Sequence, residues 1–264
     1  MNGLAVIGCG NIGSSIVEGL LRTDERKNFD IYATSRNPEN LKYLEDQGVK
    51  VGSDNTLAAR SAQYILIAVK PYKVEEVLRE IEPELSAGKV VISVASEVEI
   101  ATITQTIGNE VAVFRAMPNT AAGIQESITC ISGQNVSKDQ VQDVEYLFSG
   151  IGRVIVIEEE LMGAATILGA CGIAYVMRFI RAMVQGGIQM GFDAKTASLI
   201  TNQTVKGAAD LLLKNGNHPE VEIDRVTTPK GCTITGLNEM EHQGFSSALI
   251  KGLITSYKKV EEDL

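Results

Sequence analysis

A decapeptide near the amino terminus, Leu4-Ala5-Val6-Ile7-Gly8-Cys9-Gly10-Asn11-Ile12-Gly13, joins four apolar residues directly to a G-x-G-x-x-G run. Four consecutive apolar residues are typical of a buried parallel strand, and the pattern of residues 14–21 predicts a helix. The glycine spacing is informative only in this strand–turn–helix context. The stretch therefore predicts a dinucleotide-binding turn, the alternative being a glycine-rich turn without a ligand.

Each glycine of the run has its own expected role. Gly8 permits the tight turn after the strand, Gly10 lets a pyrophosphate approach the backbone, and Gly13 lets the helix pack closely on the strand. The phosphates would lie at the helix N-terminus, near Asn11 and Ile12, where free N–H groups and the helix dipole favour an anion.

The composition is that of an ordinary globular protein and disfavours several function classes. The chain has 264 residues, 44% of them hydrophobic, and a net charge of −9. This charge would repel a phosphate backbone, so we expect no nucleic-acid partner. Four scattered cysteines and only two histidines indicate no metal site. Unpaired thiols and the lack of a secretory signal before the first strand indicate a cytoplasmic protein.

The residues after the predicted second strand, 29–33, should determine which dinucleotide binds. An acidic residue there accepts the 2′-hydroxyl of NAD, whereas cationic and hydroxyl groups suit the 2′-phosphate of NADP. The chain has Thr34-Ser35-Arg36 at this place, and Asp30 lies too early in the strand. Arg36 can pair with a 2′-phosphate, and both hydroxyls can donate to it. We therefore expect NADP(H), with NAD(H) as the alternative, in which Arg36 is a solvated surface charge.

Strands and helices continue to alternate up to about residue 158, which predicts a parallel sheet. Ligands collect at the carboxyl ends of the strands in such a sheet. Two strand ends are expected to border the cofactor. They are Val69-Lys70-Pro71, after a strand at residues 64–69, and the small residues that close a strand at residues 90–95.

The strand pattern ends after Glu158, and the remaining residues predict helices. Residues 161–190 combine helical spacing with many Gly and Ala residues, which let helices approach closely. We expect this helix to be buried in a bundle or a subunit interface, because arginines and glycines interrupt it and argue against a membrane span. A loop at residues 227–233 leads into a helix predicted to begin at Ile234.

The predicted fold class is α/β. Residues 1–158 form a Rossmann-type dinucleotide-binding domain with a mostly parallel sheet, and residues 159–264 form an all-α domain. Apolar helix faces rich in small residues indicate that the second domain forms a homodimer.

Several motifs occur in a family-specific order. They are Gly8-x-Gly10-x-x-Gly13, Asn55, Ala68-Val69-Lys70-Pro71, Ser93-Val94-Ala95, Arg115-Ala116-Met117-Pro118-Asn119-Thr120, His218-Pro219 and Val226-Thr227-Thr228-Pro229-x-Gly231-x-Thr233-Ile234-x-Gly236-Leu237. Through them nearly the whole chain resembles the pyrroline-5-carboxylate reductases. The first motif is generic to dinucleotide folds, whereas the V-K-P, M-P-N-T and V-T-T-P-x-G-x-T-I runs are far more specific.

The resemblance implies hydride transfer from NAD(P)H to the C=N carbon of 1-pyrroline-5-carboxylate, the last step of proline biosynthesis. It implies a homodimer through the helical domain, with a higher oligomer of dimers as the alternative, and a substrate bound where domains and subunits meet. Among the cofactor-binding residues, the resemblance implies Thr34, Arg36, Asn55, Val69, Lys70 and Ser96. Together with the glycine turn and the strand ends described above, the predicted cofactor-binding residues are Gly8, Gly10, Asn11, Ile12, Gly13, Thr34, Ser35, Arg36, Asn55, Ala68, Val69, Lys70, Pro71, Ala95, Ser96 and Asn119. The implied substrate-binding residues are Glu159, Thr228, Gly231, Cys232 and Thr233, and the candidate catalytic residues are Thr233 and Lys70.

The loop before the predicted helix at Ile234 supports part of this assignment. Gly231, Cys232 and Thr233 would present backbone N–H groups at a helix start, which suits a carboxylate. The alternative is an ordinary helix start with Thr233 as its N-cap.

The chain departs from the family pattern mainly in its second half. A family run of the type A-L-S-G-S-G-P-A-Y is replaced by Ile-Leu-Gly-Ala-Cys-Gly-Ile-Ala-Tyr at residues 167–175, and an acidic residue is lost at Gly163. Lys230 replaces a glycine, which is unfavourable if φ is positive there, and it adds a cation beside the carboxylate site. Two alternatives therefore stay open: a divergent paralogue that reduces another cyclic imine, and a non-catalytic NADP-binding regulatory protein.

Reduction of an imine needs little catalytic machinery. The protonated nitrogen activates its own carbon, so the protein mainly has to hold the nicotinamide C4 about 3–3.5 Å from that carbon. Lys70 could act as an acid or orient the nicotinamide ribose, and its place at a strand end favours the second role. We expect Cys232 to be a small loop residue and not a nucleophile, because no base is apparent nearby. The β-hydroxyacid dehydrogenases, a rival class, use a lysine on the first helix of their second domain, and residues 161–175 contain none.

Overall fold

A computed structural model describes residues 3–23 and 29–263. The chain divides into two compact units, one of residues up to Cys171 together with those from Tyr257 onward, the other of Gly172–Ser256. The predicted boundary between residues 158 and 159 does not coincide with this division and stays a prediction. Residues 1, 2 and 264 of the predicted domains lie outside the described residues, as do residues 24–28.

The first unit contains an eight-stranded sheet with the order β3-β2-β1-β4-β5-β6-β7-β8. The strands are β1 Leu4–Ile7, β2 Ile31–Thr34, β3 Lys50–Gly52, β4 Tyr64–Ile67, β5 Val90–Ser93, β6 Ala112–Met117, β7 Ser127–Gln134 and β8 Gly152–Val156. All neighbouring pairs are parallel except β6 and β7, which are antiparallel. The predicted mostly parallel sheet is confirmed, but the parallel default is wrong for this pair. Only a 3₁₀ turn at Thr120–Ile124 links the two strands, and a parallel crossover needs a longer connection.

Helices pack on the sheet and make up most of the second unit. They are α1 Asn11–Leu21, α2 Lys42–Glu45, α3 Asn55–Ser61, α4 Val74–Ile81, α5 Ile100–Ile107, α6 Lys138–Ser149, α7 Met162–Ala165, α8 Gly172–Gln189, α9 Ala194–Asn215, α10 Pro219–Arg225, α11 Cys232–His242 and α12 Phe245–Asp263. A π-helix, Thr166–Cys171, lies between α7 and α8.

The strand sequences explain why the sheet has a core on each face. Successive side chains of a strand point to opposite faces. Leu4 and Val6 of β1 accordingly belong to one buried cluster, and Ala5 and Ile7 belong to the other. Both clusters place apolar side chains between the sheet and its helices, so the predicted fully buried strand is confirmed at β1.

The helix Glu159–Gln189 was predicted to be buried either in a bundle or in a subunit interface, and in the single chain it is exposed. Within this helix, only 11% of the most apolar 18-residue stretch is buried. By length and composition it is the one helix among the described residues that could cross a membrane. Its exposed apolar residues include Leu168, Val176 and Met177. Small residues permit close approach of a neighbour, but they cannot specify that this neighbour lies in the same chain. The subunit-interface alternative of the prediction remains.

Candidate functional site

The turn after β1 has a backbone that only glycine fits. Gly8 has a φ of +84°, and a Cβ added there would lie 2.3 Å from Val69 Cγ1. The Gly8 N–H donates to Thr34 Oγ1 at 3.4 Å, and the Cys9 N–H donates to the Thr34 carbonyl oxygen at 2.7 Å. The turn is thus held between the ends of β2 and β4.

The start of α1 offers free backbone donors. The helix begins at Asn11, earlier than the predicted residue 14, and its N-cap Gly10 supplies no side-chain cap. A Cβ added at Gly10 would meet only the Gly8 carbonyl oxygen, at 3.9 Å. One added at Gly13 would lie 3.4 Å from the Ala68 and Val6 side chains, so the helix packs closely on the sheet there. Open space above uncapped N–H groups fits a phosphate group.

A cleft of about 620 Å³ lies beside the turn. Four of the predicted cofactor residues line it: Gly10, Asn11, Ser35 and Arg36. Other residues that line the cleft were not predicted to do so, and among them are Ser14, Ser15, Glu18, Asn37, Asn40 and Tyr43. Residues 11, 14, 15 and 18 share one face of α1, so the helical period could have revealed Ser14, Ser15 and Glu18.

Glu18 and Tyr43 both line the cleft and contact each other. The Tyr43 hydroxyl donates to Glu18 Oε1 at 2.6 Å. Desolvation and this hydrogen bond raise the pKa of Tyr43 above its ordinary value. The phenol therefore stays neutral at physiological pH and keeps the carboxylate oriented.

Thr34 is buried, and its hydroxyl has a partner inside the protein. It donates to Asn55 Oδ1 at 2.7 Å, and Asn55 Nδ2 donates to Glu80 Oε2 at 2.9 Å. One hydroxyl carries one proton. In this structure that proton goes to Asn55, and Thr34 also accepts from the Gly8 N–H of the glycine turn. The predicted contacts of Thr34 and Asn55 with the cofactor stay predictions.

The predicted strand-end residues lie at one edge of the sheet. The β4–β5–β6 register pairs Ile67 with Ser93 and Ser93 with Arg115, so the segments that follow these strands are neighbours. Ala68, Ala95 and Asn119 are buried, Val69, Pro71 and Ser96 are half-buried, and Lys70 is exposed. Among these residues Lys70 brings a positive charge to this edge.

Asn119 makes intramolecular bonds with both ends of its side chain. Its Oδ1 accepts from the Ala121 N–H at 3.0 Å, and its Nδ2 donates to the Gly169 carbonyl oxygen at 3.1 Å. Gly169 belongs to the π-helix, a conformation that often occurs at functional sites. In the structure, the Asn119 side chain connects the end of β6 to the π-helix. Its role in cofactor binding stays a prediction.

Glu159 joins three segments of the first unit. Its Oε1 accepts from Arg115 Nη1 at 3.1 Å and from the Ile100 N–H, the first of α5, at 2.8 Å. The Arg115 side chain is only 5% exposed. The predicted substrate contact of Glu159 stays a prediction, since this oxygen already has two donors.

The loop that was predicted to bind the substrate belongs to the second unit and is a tight turn into α11. The Gly231 N–H donates to the Thr228 carbonyl oxygen at 2.9 Å, and a Cβ on Gly231 would lie 2.5 Å from Thr228 Oγ1. Lys230 has a φ of +59°, which is the left-handed conformation that is unfavourable for a residue other than glycine. The helix begins at Cys232 with Gly231 as N-cap. The predicted start at Ile234 and the alternative N-cap Thr233 are therefore wrong. Cys232 and Thr233 lie in the first turn of the helix, where free N–H groups were expected, but the N–H of Gly231 is already bonded to Thr228.

The cysteines and acidic residues of the described part of the chain form no second catalytic or metal-binding cluster. Cys9, Cys130, Cys171 and Cys232 are all free, and burial raises the pKa of the Cys9 thiol, which lies 3.5 Å from Ser14 Oγ. In the part of the chain that the structure describes, no three His, Cys, Asp or Glu residues are placed to hold a metal ion.

Comparison with known proteins gives matches over both regions. Residues 159–263 match the pyrroline-5-carboxylate reductase dimerisation family, and residues 3–97 match the family of coenzyme F420-dependent NADP oxidoreductases. Pyrroline-5-carboxylate reductase 1 of Dictyostelium discoideum is 42% identical over 98% of this chain, which spans 49% of that protein. Pyrroline-5-carboxylate reductase 2 of the same organism is 39% identical, covering 97% of this chain and 91% of that protein.

The fold also matches a solved structure. The NADP-bound pyrroline carboxylate reductase of Plasmodium falciparum superposes with a TM-score of 0.90 over 99% of this chain and 97% of that one, at 24% identity. A Rossmann-type domain followed by a dimerisation region places the chain among the NAD(P)-dependent oxidoreductases. Within that class the chain belongs to the pyrroline-5-carboxylate reductase family. The predicted family, fold class, reaction class and cofactor class are confirmed.

Proposed function

We propose that the chain reduces the C=N bond of 1-pyrroline-5-carboxylate to give L-proline, with NADPH as the preferred hydride donor. Family membership supports this reaction. The observation in the structure that carries it is the turn Gly8–Gly13, where Gly10 leaves open space over uncapped helix N–H groups. When bound, the reduced nicotinamide supplies the hydride.

The cofactor half of the site follows from the cleft. Gly10, Asn11 and Ile12 would hold the pyrophosphate through backbone N–H groups. Ser35 and Arg36 line the same cleft, and they would hold a 2′-phosphate by charge-assisted hydrogen bonds. Lys70, at the carboxyl end of β4, would orient the nicotinamide ribose.

The residues that would bind the substrate are those at the start of α11. The N–H groups of Cys232 and Thr233 have no side-chain cap, and they would bind the substrate carboxylate together with the cation of Lys230. Thr233 would position the ring through its hydroxyl. A protonated imine nitrogen activates the adjacent carbon, so the residues need only fix the geometry, a proximity effect worth about 7–11 kcal/mol at best.

Two alternatives to this reaction are each favoured by an observation. The chain departs from the family pattern at Lys230, which is left-handed, and in the π-helix Thr166–Cys171. They would suit a paralogue acting on another cyclic imine, or a regulatory NADP-binding protein without turnover. The matched dimerisation region supports a homodimer. We further propose that the protein is cytoplasmic and has no membrane or nucleic-acid partner. The alternative to a simple homodimer is a higher oligomer of dimers.

The test is NADPH oxidation by the purified chain with the five-membered imine, beside NADH and a six-membered imine. Turnover with the five-membered substrate at a rate well above the six-membered one supports the proposal. Preference for the six-membered imine supports the paralogue, and tight NADPH binding without turnover supports the regulatory alternative. Arg79→Ala serves as the matched control for variants of Arg36, because Arg79 is an exposed arginine on α4, in contact with Glu75.

A further inference from the structure

One carboxylate, that of Glu222, accepts hydrogen bonds from three side chains around the short helix α10. Its Oε1 accepts from Asn217 Nδ2 at 2.6 Å, from Arg225 Nη1 at 2.7 Å and from Asn215 Nδ2 at 3.4 Å. The Glu222 side chain is 14% exposed, whereas that of Arg225 is 58% exposed. The carboxylate is thus the shielded centre of these four residues, which we call the Glu222 cluster.

The three donors lie at both ends of α10. Asn215 is the last residue of α9, Asn217 lies in the turn that follows, and Arg225 is the last residue of α10. A helix of seven residues gains little stability on its own, since isolated helices shorter than about 12–15 residues are marginal in water. The Glu222 cluster therefore fixes α10 relative to the end of α9.

The end of α10 is bonded directly to the loop at residues 227–233. The Thr227 N–H donates to the Asp224 carbonyl oxygen at 3.2 Å, and the Thr227 hydroxyl donates to the Ile223 carbonyl oxygen at 2.8 Å. The next hydrogen bond along the chain joins the Gly231 N–H to the Thr228 carbonyl oxygen at 2.9 Å. Because α11 begins at the following residue, a displacement of α10 would move the start of α11.

The carboxylate of Glu222 is held in its charged form. The hydrogen bond from Asn217 lowers the pKa of Glu222 below its ordinary value, partial desolvation opposes this effect, and the hydrogen bond from Arg225 adds to it. Hydrogen bonds to an ionised acceptor are shorter and stronger than those to a neutral one. A neutral amide at this position would keep an acceptor for Asn217 but lose the attraction of Arg225.

We propose that Glu222 is a positioning residue for the reaction. It fixes α10, and through α10 the loop at residues 227–233, so that the N–H groups of Cys232 and Thr233 are held where they bind the substrate carboxylate. Glu222 acts through this loop and not by contact with the substrate. The identity of the substrate rests on the proposed function, whereas the fixing of the loop does not.

Three variants isolate the role of the cluster. Glu222→Ala removes the acceptor, and Glu222→Gln keeps one acceptor without the charge. Glu220→Ala is the matched control, because Glu220 is also an acidic residue in the first turn of α10 and is exposed. Its side chain has no hydrogen bond or ion pair within the described part of the chain. The two alanine variants therefore lose the same charge from the same helix and differ in the cluster.

The direct test is hydrogen exchange of the amides of residues 226–233 in the ligand-free protein. We expect Glu222→Ala to exchange there roughly tenfold faster than Glu220→Ala, with amides from the interior of α9 unchanged, because only the local opening becomes easier. Equal exchange of the loop in the two variants would overturn the proposal. Equally faster exchange throughout α9 would overturn it as well, since the effect would then be a general loss of stability.

The kinetic test separates the two substrates of the reaction. We expect Glu222→Ala to raise the KM for the imine by about 10–100-fold, with kcat and the KM for NADPH nearly unchanged, because the misplaced N–H groups bind the carboxylate less well in ground state and transition state alike. Glu222→Gln should show a smaller rise and Glu220→Ala none. An unchanged KM for the imine in Glu222→Ala contradicts the positioning role. If the unsubstituted chain does not reduce the imine, the proposed function fails, and the exchange comparison still decides whether Glu222 fixes the loop.

Discussion

Arg115 and Glu159 form an ion pair of 3.1 Å in which the guanidinium is nearly inaccessible to solvent while the carboxylate is 30% exposed. The same carboxylate oxygen caps α5 through the Ile100 N–H. The pair thus ties β6 and α5 to the segment where the helical region starts. Arg115 Nε is the one buried side-chain nitrogen or oxygen among the described residues without a hydrogen-bond partner, so the guanidinium depends on Glu159.

Removal of Glu159 should therefore affect stability more than substrate affinity. We expect Glu159→Ala to lower the free energy of unfolding by about 3–5 kcal/mol, because it leaves a buried charge unpaired. Glu159→Gln retains an acceptor and should cost less. Denaturant titration measures both. If Glu159→Ala is as stable as the unsubstituted protein but has a raised KM for the imine, Glu159 contacts the substrate instead.

Asn119 should behave as a positioning residue. Asn119→Asp keeps the acceptor for the Ala121 N–H but places an oxygen against the Gly169 carbonyl, and a buried acceptor without a donor costs about 1–3 kcal/mol. We expect a lower kcat and lower thermal stability, with the Kd for NADPH little changed. If the Kd for NADPH rises while the thermal stability is unchanged, Asn119 binds the cofactor directly.

Gly8 and Gly10 should respond differently to the same substitution. Gly10→Ala meets no close atom and has a φ of −92°, so the stability of the ligand-free protein should hardly change while NADPH binding weakens. Gly8→Ala combines a φ of +84° with a 2.3 Å contact, and we expect a loss of more than about 2 kcal/mol. Thermal unfolding without ligand and NADPH titration by fluorescence distinguish the two. If Gly10→Ala lowers the stability of the ligand-free protein, the space above Gly10 is not open and cannot be the phosphate site.

Arg36 should select NADPH over NADH. We expect Arg36→Ala to raise the KM for NADPH about 10–100-fold, since a charge-assisted bond is worth about 1.5–3 kcal/mol, and to leave the KM for NADH nearly unchanged. Arg79→Ala should alter neither. Equal effects on both dinucleotides would place Arg36 away from the 2′-phosphate.

Lys230 should be strained in its turn. We expect Lys230→Gly to stabilise the protein by about 0.5–1 kcal/mol, because relief of a left-handed conformation, about 1–2 kcal/mol, exceeds the added entropy of the unfolded chain, about 0.5–1 kcal/mol. Lys251→Gly, in the interior of α12, should destabilise it by about 1 kcal/mol. A destabilised Lys230→Gly variant would mean that the lysine side chain makes a compensating contact.

Local patterns were sufficient for the nucleotide-binding half of the protein. A run of apolar residues, a glycine spacing and a helical period each describe a backbone conformation and a buried face within a few residues. They predicted β1, the turn at Gly8, α1, the cleft residues Ser35 and Arg36, and the family. The positive φ of Lys230 could also be considered in advance, because glycine and left-handed turns are linked residue by residue.

The partners of polar side chains could be known only once the chain was folded. The hydroxyl of Thr34 donates to a residue 21 positions away, and Glu159 pairs with one 44 positions away. No sequence period encodes such distances, because they depend on which strands and helices become neighbours. For the same reason the antiparallel β6–β7 pair and the exposure of the helix Glu159–Gln189 emerged from the tertiary structure. The sequence shows that a face is apolar, but whether it meets the same chain or another surface depends on the packing of the whole molecule.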